Sequence, residues 1–148
     1  MKNSSAAKRN KLKVWHYFVA DALTIITGAL GLLNFFMLRQ MILLLLTAST
    51  INPWSWSAID KFSILLLAIA WLGAVYLSNH YYQKGFKNKR IWVYFLFITG
   101  LQMIVLFMAH ILPILVAKGQ YSVVLTILEG IIGIACIVSS FFIRRNCE

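Results

Sequence analysis

Residues 91–117, IWVYFLFITGLQMIVLFMAHILPILVA, decide the fold, because they contain no Asp, Glu, Lys or Arg. The segment is apolar on all sides rather than along one stripe, which is typical of a membrane span and not of a surface helix. A helix that crosses the hydrocarbon core of a bilayer needs about 20 such residues. We therefore expect a transmembrane helix, TM3, over residues 91–117.

Three further apolar segments flank TM3. A tight turn at residues 118–120 leads to TM4 at residues 121–143, and TM2 precedes TM3 at residues 62–82. TM1 covers residues 17–37. The expected fold is all-α: a single transmembrane domain over residues 1–148, built as an antiparallel four-helix bundle.

The segment between TM1 and TM2 is expected to lie at the membrane surface. Leu38, Arg39 and Gln40 interrupt the apolar run, and the next apolar stretch, residues 41–46, is too short to cross a bilayer. A proline and two tryptophans follow at residues 53–56; proline stops a helix, and tryptophan favours the headgroup level. We expect residues 38–58 to form an interfacial connection with room for one short surface helix.

The composition excludes an ordinary soluble domain. Of the 148 residues, 61% are hydrophobic and only 12% are charged, and the mean hydropathy is +0.80. Four crossings use nearly the whole length and leave no room for a domain outside the membrane. We therefore expect the function to take place in or beside the bilayer.

The net charge of +10 is interpreted as a topology signal rather than a nucleic-acid footprint, because the basic residues stand at the ends of apolar segments. A cytoplasmic N-terminus leaves only Arg39, Lys61 and Lys118 of the 14 Lys and Arg outside. By this positive-inside count both termini are cytoplasmic. We expect a multi-pass protein of the cell (plasma or inner) membrane that contacts lipids and does not bind nucleic acid.

No motif for catalysis or cofactor binding is present. The sequence contains no HExxH, CxxC, Walker or GxSxG pattern, and its four carboxylates, Asp21, Asp60, Glu129 and Glu148, form no local cluster for a metal. Cys136 and Cys147 are expected to be free thiols. We therefore expect no enzyme activity, no catalytic residue, no metal and no cofactor.

His110 on TM3 and Glu129 on TM4 form the most informative polar pair. In an antiparallel hairpin, residues equally far from the turn lie at the same depth, so the two side chains are expected to meet. A paired imidazole would offset part of the cost of removing the carboxyl from water. Three interpretations are open: a pair that carries a proton or binds a ligand, a hydrogen bond that only locks the hairpin, or a Glu129 that is protonated and neutral.

Small residues at helical spacing predict helix-packing faces on three spans. Asp21, an intramembrane acid near the cytoplasmic face, heads the face on TM1, and we expect it to pair with Ser78, Asn79 or a nearby basic residue. The packing residues are Thr24, Gly28 and Gly31 on TM1, Ala70, Ala74 and Ser78 on TM2, and Gly133, Cys136 and Ser140 on TM4. Each face is expected to contact another helix.

Two further groups lie at the cytoplasmic ends of the spans. His16 and His80 fall at the ends of adjacent antiparallel helices, where two histidines can ligate a b-type haem; the alternative is ordinary headgroup anchoring. Lys84, Lys87, Lys89 and Arg90 could hold anionic lipid, or could serve only as the topology signal beside an aromatic belt.

Three functions follow from these features. The first is an accessory, assembly or immunity-type subunit that packs against a larger membrane protein or against itself, favoured by several small-residue faces without catalytic chemistry. The second is a small oligomeric proton-coupled transporter that uses Glu129 and His110. The third is electron transfer through a haem held by His16 and His80.

Overall fold

The fold consists of helices joined by short connections. The computed structural model describes residues 2–87, 90–117 and 122–146, and the side chains of 15, 17–86, 90–115 and 122–145. The helices are α1 (Lys2–Ala48), α2 (Trp56–Lys87), α3 (Ile91–Ala117) and α4 (Val123–Asn146), with a single 3₁₀ turn at Pro53–Ser55. Each of the four is long and apolar enough to cross a membrane, and no strand occurs in the described residues. An all-helical chain with four apolar helices of this length is confirmed, and it suggests a multi-pass membrane protein.

Helix α1 is longer than the sequence predicted. Residues 38–48 remain helical, so the interfacial connection expected over residues 38–58 is corrected to the short segment between Ala48 and Trp56. Leu, Arg and Gln are good helix formers, and a polar break in an apolar run does not break the helix. The helix ends where Asn52 and Pro53 begin the 3₁₀ turn, with the Asn52 side chain accepting a hydrogen bond from the Trp54 N–H at 3.2 Å.

The four helices form an open arrangement. α1, α2 and α3 contact one another, whereas α4 contacts α3 alone within the described residues. α1 and α2 are antiparallel, because Gly28 lies beside Val75 and Gly31 beside Trp71. α3 and α4 are antiparallel too, because Gly100 lies beside Gly133 and Phe107 beside Gly130. Most of the circumference of α4 therefore faces away from the rest of the chain.

Glycines let α3 and α4 approach closely. A Cβ added to Gly100 would lie 2.8 Å from Cγ1 of Ile137 and 3.0 Å from the carbonyl oxygen of Gly133, so only glycine fits there. The buried positions of α4 are Thr126, Gly130, Gly133 and Ser140. Their spacing of three and four residues, extended by the half-buried Ile137, is that of one helix packing along another.

Candidate functional site: intramembrane polar groups and helix faces

His110 and Glu129 meet across the contact between α3 and α4. The Nδ1 atom of His110 lies 2.7 Å from Oε2 of Glu129, and the two side chains are 13% and 21% exposed. Gly130 sits against the ring of Phe107, which sets the register that brings Glu129 level with His110. The contact expected from the hairpin geometry is present, and its role in function stays a prediction.

The chemistry of this pair is that of one carboxyl and one imidazole sharing a hydrogen bond. If His110 is neutral with its proton on Nδ1, it donates to the carboxylate; a protonated Glu129 can instead donate to Nδ1. Because the pair lies within apolar segments, a state with one proton between the two groups costs less than two separate charges. The arrangement can hold one exchangeable proton, and it also fastens α4 to α3.

A second polar group joins α1, α2 and α3 through side-chain donors to backbone carbonyls. Gln102 Nε2 donates to the Thr27 carbonyl at 3.0 Å, and Asn34 Nδ2 donates to the Gln102 carbonyl at 3.1 Å. Trp71 Nε1 donates to the Gly28 carbonyl at 3.1 Å. These bonds fix the register of three helices, since each donor reaches one specific turn of its neighbour.

The sequence analysis did not single out Asn34 or Trp71. Asn34 follows Gly31 by one helical turn, so it extends the predicted small and polar face of α1, and this signal could have identified it. For Trp71, nothing in the sequence indicates which carbonyl its indole N–H reaches. The carboxamide oxygens of Asn34 and Gln102 are buried and have no hydrogen-bond partner among the described residues.

Asp21 lies on the surface of α1 and does not pair with Ser78 or Asn79. Its side chain is exposed and makes no hydrogen bond or ion pair with the described residues. The expected partners are otherwise engaged: Ser78 Oγ donates to the Ala74 carbonyl at 2.7 Å, and Asn79 Oδ1 accepts from Gln83 at 3.1 Å. The expected pairing with Ser78 or Asn79 is therefore wrong, and the alternative of a nearby basic residue stays a prediction, because several of those side chains lie outside the described residues. The cause is the helical phase, since the adjacent Ala20 is the residue that enters the core.

Some of the predicted packing residues are buried between the helices, and others are exposed on the surface of the chain. On α1, Thr24 is buried, and Gly28 and Gly31 lie against α2. On α4, Gly133 and Ser140 are buried against α3, and Cys136 is half-buried. Of the face expected on α2, only Ser78 is buried, whereas Ala70 and Ala74 are exposed. Ala70 and Ala74 therefore face away from the other described helices, and the helix contact expected for them stays a prediction.

The structure describes only some of the histidines and basic residues near the ends of α1 and α2. His80 is exposed, and its ring lies edge-on to the ring of Tyr81. The side chain of His16 falls outside the described residues, as do those of Lys87 and Lys89. Lys84 is exposed and Arg90 is half-buried. Among the described side chains, no group of three or more His, Cys, Asp or Glu is placed to hold a metal ion.

An ion pair that sequence reasoning missed joins α1 to α2. Arg39 donates from Nε and from an Nη atom to the two carboxylate oxygens of Asp60, each at 3.1 Å. Both carboxylate oxygens of Asp60 accept a hydrogen bond from the Arg39 guanidinium, so the pair fixes the relative orientation of the two groups as well as their distance. It accounts for Arg39 in the middle of a long apolar helix, because its charge is matched on the neighbouring helix.

Searches against protein-family models, curated proteins and solved structures give no match to this chain.

Proposed function

We propose that this protein is an accessory, assembly or immunity-type interaction subunit that acts in the cell membrane by packing against a larger membrane protein. It acts through helix contacts rather than through catalysis. The observation that carries the proposal is the open arrangement: α4 packs against α3 alone and presents most of its surface outward. A closed bundle would cover a second side of this helix.

The outward surface of α4 has the pattern of a helix contact. Its exposed residues Leu128, Ile132, Ala135, Ser139 and Phe142, which we call the α4 outer seam, are spaced alternately by four and three residues. Small residues at its centre let another backbone approach closely, and dispersion and interhelical hydrogen bonds then favour association within lipid. The seam is therefore suited to one further transmembrane helix from the partner.

The test is purification from the native membrane in nanodiscs, with mass spectrometry of the proteins that co-purify. The wild-type chain should recover a stoichiometric membrane protein, and Ala135→Phe should reduce its recovery several-fold, because the ring keeps the backbones apart. Ile134→Phe is the matched control, since Ile134 is exposed on α4 but lies beside the seam. No stoichiometric partner, or equal losses in both variants, would contradict the proposal.

A second candidate is proton-coupled transport, which we propose on the strength of the 2.7 Å contact between His110 and Glu129. A carboxyl and an imidazole that share a proton within an apolar segment can pass it on when the helices move. Since four helices rarely enclose a path alone, the carrier would have to be an oligomer.

Replacing Glu129 with glutamine tests this candidate. Glu129→Gln keeps the size and a hydrogen bond but cannot ionise, so it should abolish substrate-driven proton flux in proteoliposomes while leaving the helical circular dichroism unchanged. Full flux in this variant would refute the candidate. Co-purification of a partner through α4 is independent of this result, so the two proposals can be separated.

A further inference from the structure

The outer surface of α2 carries a second seam that no other described helix covers. Leu66, Ala70, Gly73, Leu77 and His80, which we call the α2 seam, are all exposed and are spaced alternately by four and three residues. A Cβ added to Gly73 meets no atom within 4 Å. This is the spacing of helix-contact positions, with the smallest residue at the centre.

The outer surface of α1 carries a complementary series. Phe18, Asp21, Ile25, Ala29 and Leu32, which we call the α1 seam, are likewise exposed at steps of three and four residues. The Asp21 carboxylate has no partner among the described residues, although it lies between exposed apolar side chains. A carboxylate in such surroundings is costly unless another group supplies a hydrogen bond or a positive charge.

The two seams match in depth. An added Cβ on Gly31 would lie 3.0 Å from Trp71, which fixes the register between the antiparallel helices α1 and α2. Moving equally far toward the N-terminus of α1 and toward the C-terminus of α2 keeps the level. By this count Asp21 lies level with Tyr81, so His80 is one residue, about 1.5 Å along the helix axis, from the level of Asp21.

By the same register, three further positions of each seam lie at the same level. Ala29 lies level with Gly73, so two small residues coincide where backbones would approach most closely. Ile25 lies level with Leu77, and Leu32 lies level with Ala70. Depth is preserved between copies that stand side by side in one membrane, so the α1 seam of one copy can meet the α2 seam of the next in this register.

We propose that the protein self-associates through these surfaces: the α1 seam of one copy packs on the α2 seam of a second copy, and the Asp21 carboxylate accepts a hydrogen bond from His80 of that second copy. Complementarity between an acid and an imidazole at nearly equal depth selects the occupant, because the chain itself supplies both groups. The two seams differ, so the assembly closes as a two-fold dimer that uses both seams twice or as a small ring. The inference rests on the proposed action through helix contacts, but it concerns faces other than the α4 outer seam.

Disulfide cross-linking between differently tagged copies tests the contact. In a Cys136→Ala, Cys147→Ser background, copies with Ile25→Cys are co-expressed with copies with Leu77→Cys and oxidised in the membrane. The mixed disulfide should form several-fold more than with Tyr76→Cys copies, since Tyr76 is exposed about 1.5 Å from the level of Leu77 on another side of α2. Equal yields for both pairs, or no mixed disulfide, would overturn the proposal.

A second measurement isolates the polar contact. Energy transfer between labelled copies in liposomes, followed as lipid is added, gives the association constant. Asp21→Ala and His80→Ala should each weaken association roughly 3- to 10-fold, the scale of one interhelical polar contact in a membrane, and the double variant should be no weaker than either single one. Effects that multiply would overturn the contact. Loss of self-association would leave partner recovery through the α4 outer seam intact, so its failure is distinct from failure of the proposed function.

Discussion

At the scale of single residues, the contact between His110 and Glu129 should measurably fasten α4 to α3. His110→Ala and Glu129→Ala should each lower the free energy of unfolding by about 1–2 kcal/mol, the range for polar contacts between membrane helices. Their effects should be non-additive, because either change removes the same 2.7 Å contact. A double-mutant cycle from reversible unfolding in mixed micelles measures this coupling, and additive effects would show that the contact contributes nothing.

The ion pair between Arg39 and Asp60 should also contribute to the stability of the fold. Arg39→Asp should lower the midpoint of thermal unfolding in detergent, because it places two carboxylates where a bidentate pair stood. Adding Asp60→Arg to that variant should recover most of the loss by restoring opposite charges. Arg39→Asp with Lys61→Arg serves as the control, since Lys61 is exposed and forms no ion pair with the described residues. Failure of the swap to restore stability would contradict the interpretation.

At the scale of the elements, the crossing of α3 and α4 depends on the missing side chain of Gly100. Gly100→Ala should lose about 1–3 kcal/mol of stability by overpacking, since the new Cβ would lie 2.8 Å from Ile137 and 3.0 Å from the Gly133 carbonyl. Gly73→Ala is the matched control, because its Cβ meets no atom within 4 Å and alanine favours helix. Unfolding of the monomer in dilute detergent compares the two, and equal stability would disprove the close crossing.

The continuity of α1 gives a second prediction at this scale. A nitroxide scan over residues 38–48 should show mobility and accessibility that repeat with the helical period, because these residues continue α1 to Ala48. The least mobile position should be 46, where Leu46 is buried. An accessibility profile without a period, as in an extended connection, would refute the continuous helix.

The sequence predicts the helices and one of the contacts between them, but not the register between helices that are distant in sequence. Length and uniform apolarity predict the four helices, and symmetry about one short turn predicts the meeting of His110 and Glu129. The bonds of Gln102 depend instead on the register between α1 and α3, which are not adjacent in sequence. Ala70 shows the same limit, because small residues indicate only that a face can pack. The next residue, Trp71, is the one that contacts α1, and Ala70 is exposed.

At the scale of the whole molecule, the distribution of charge predicts the orientation. The N-terminus of α1 and the C-termini of α2 and α4 lie at one end, and the connection between α1 and α2 lies at the other. The basic residues concentrate at the first end, so that end should face the cytoplasm.

In a background without native cysteines, Thr50→Cys should react with a membrane-impermeant maleimide in intact cells, whereas Gln83→Cys should react only after permeabilisation. Both positions are exposed, so a difference in labelling reports sidedness rather than burial. The reverse pattern would invert the orientation while leaving the helix contacts unchanged, because those contacts depend on which residues are level with one another and not on which end is inside.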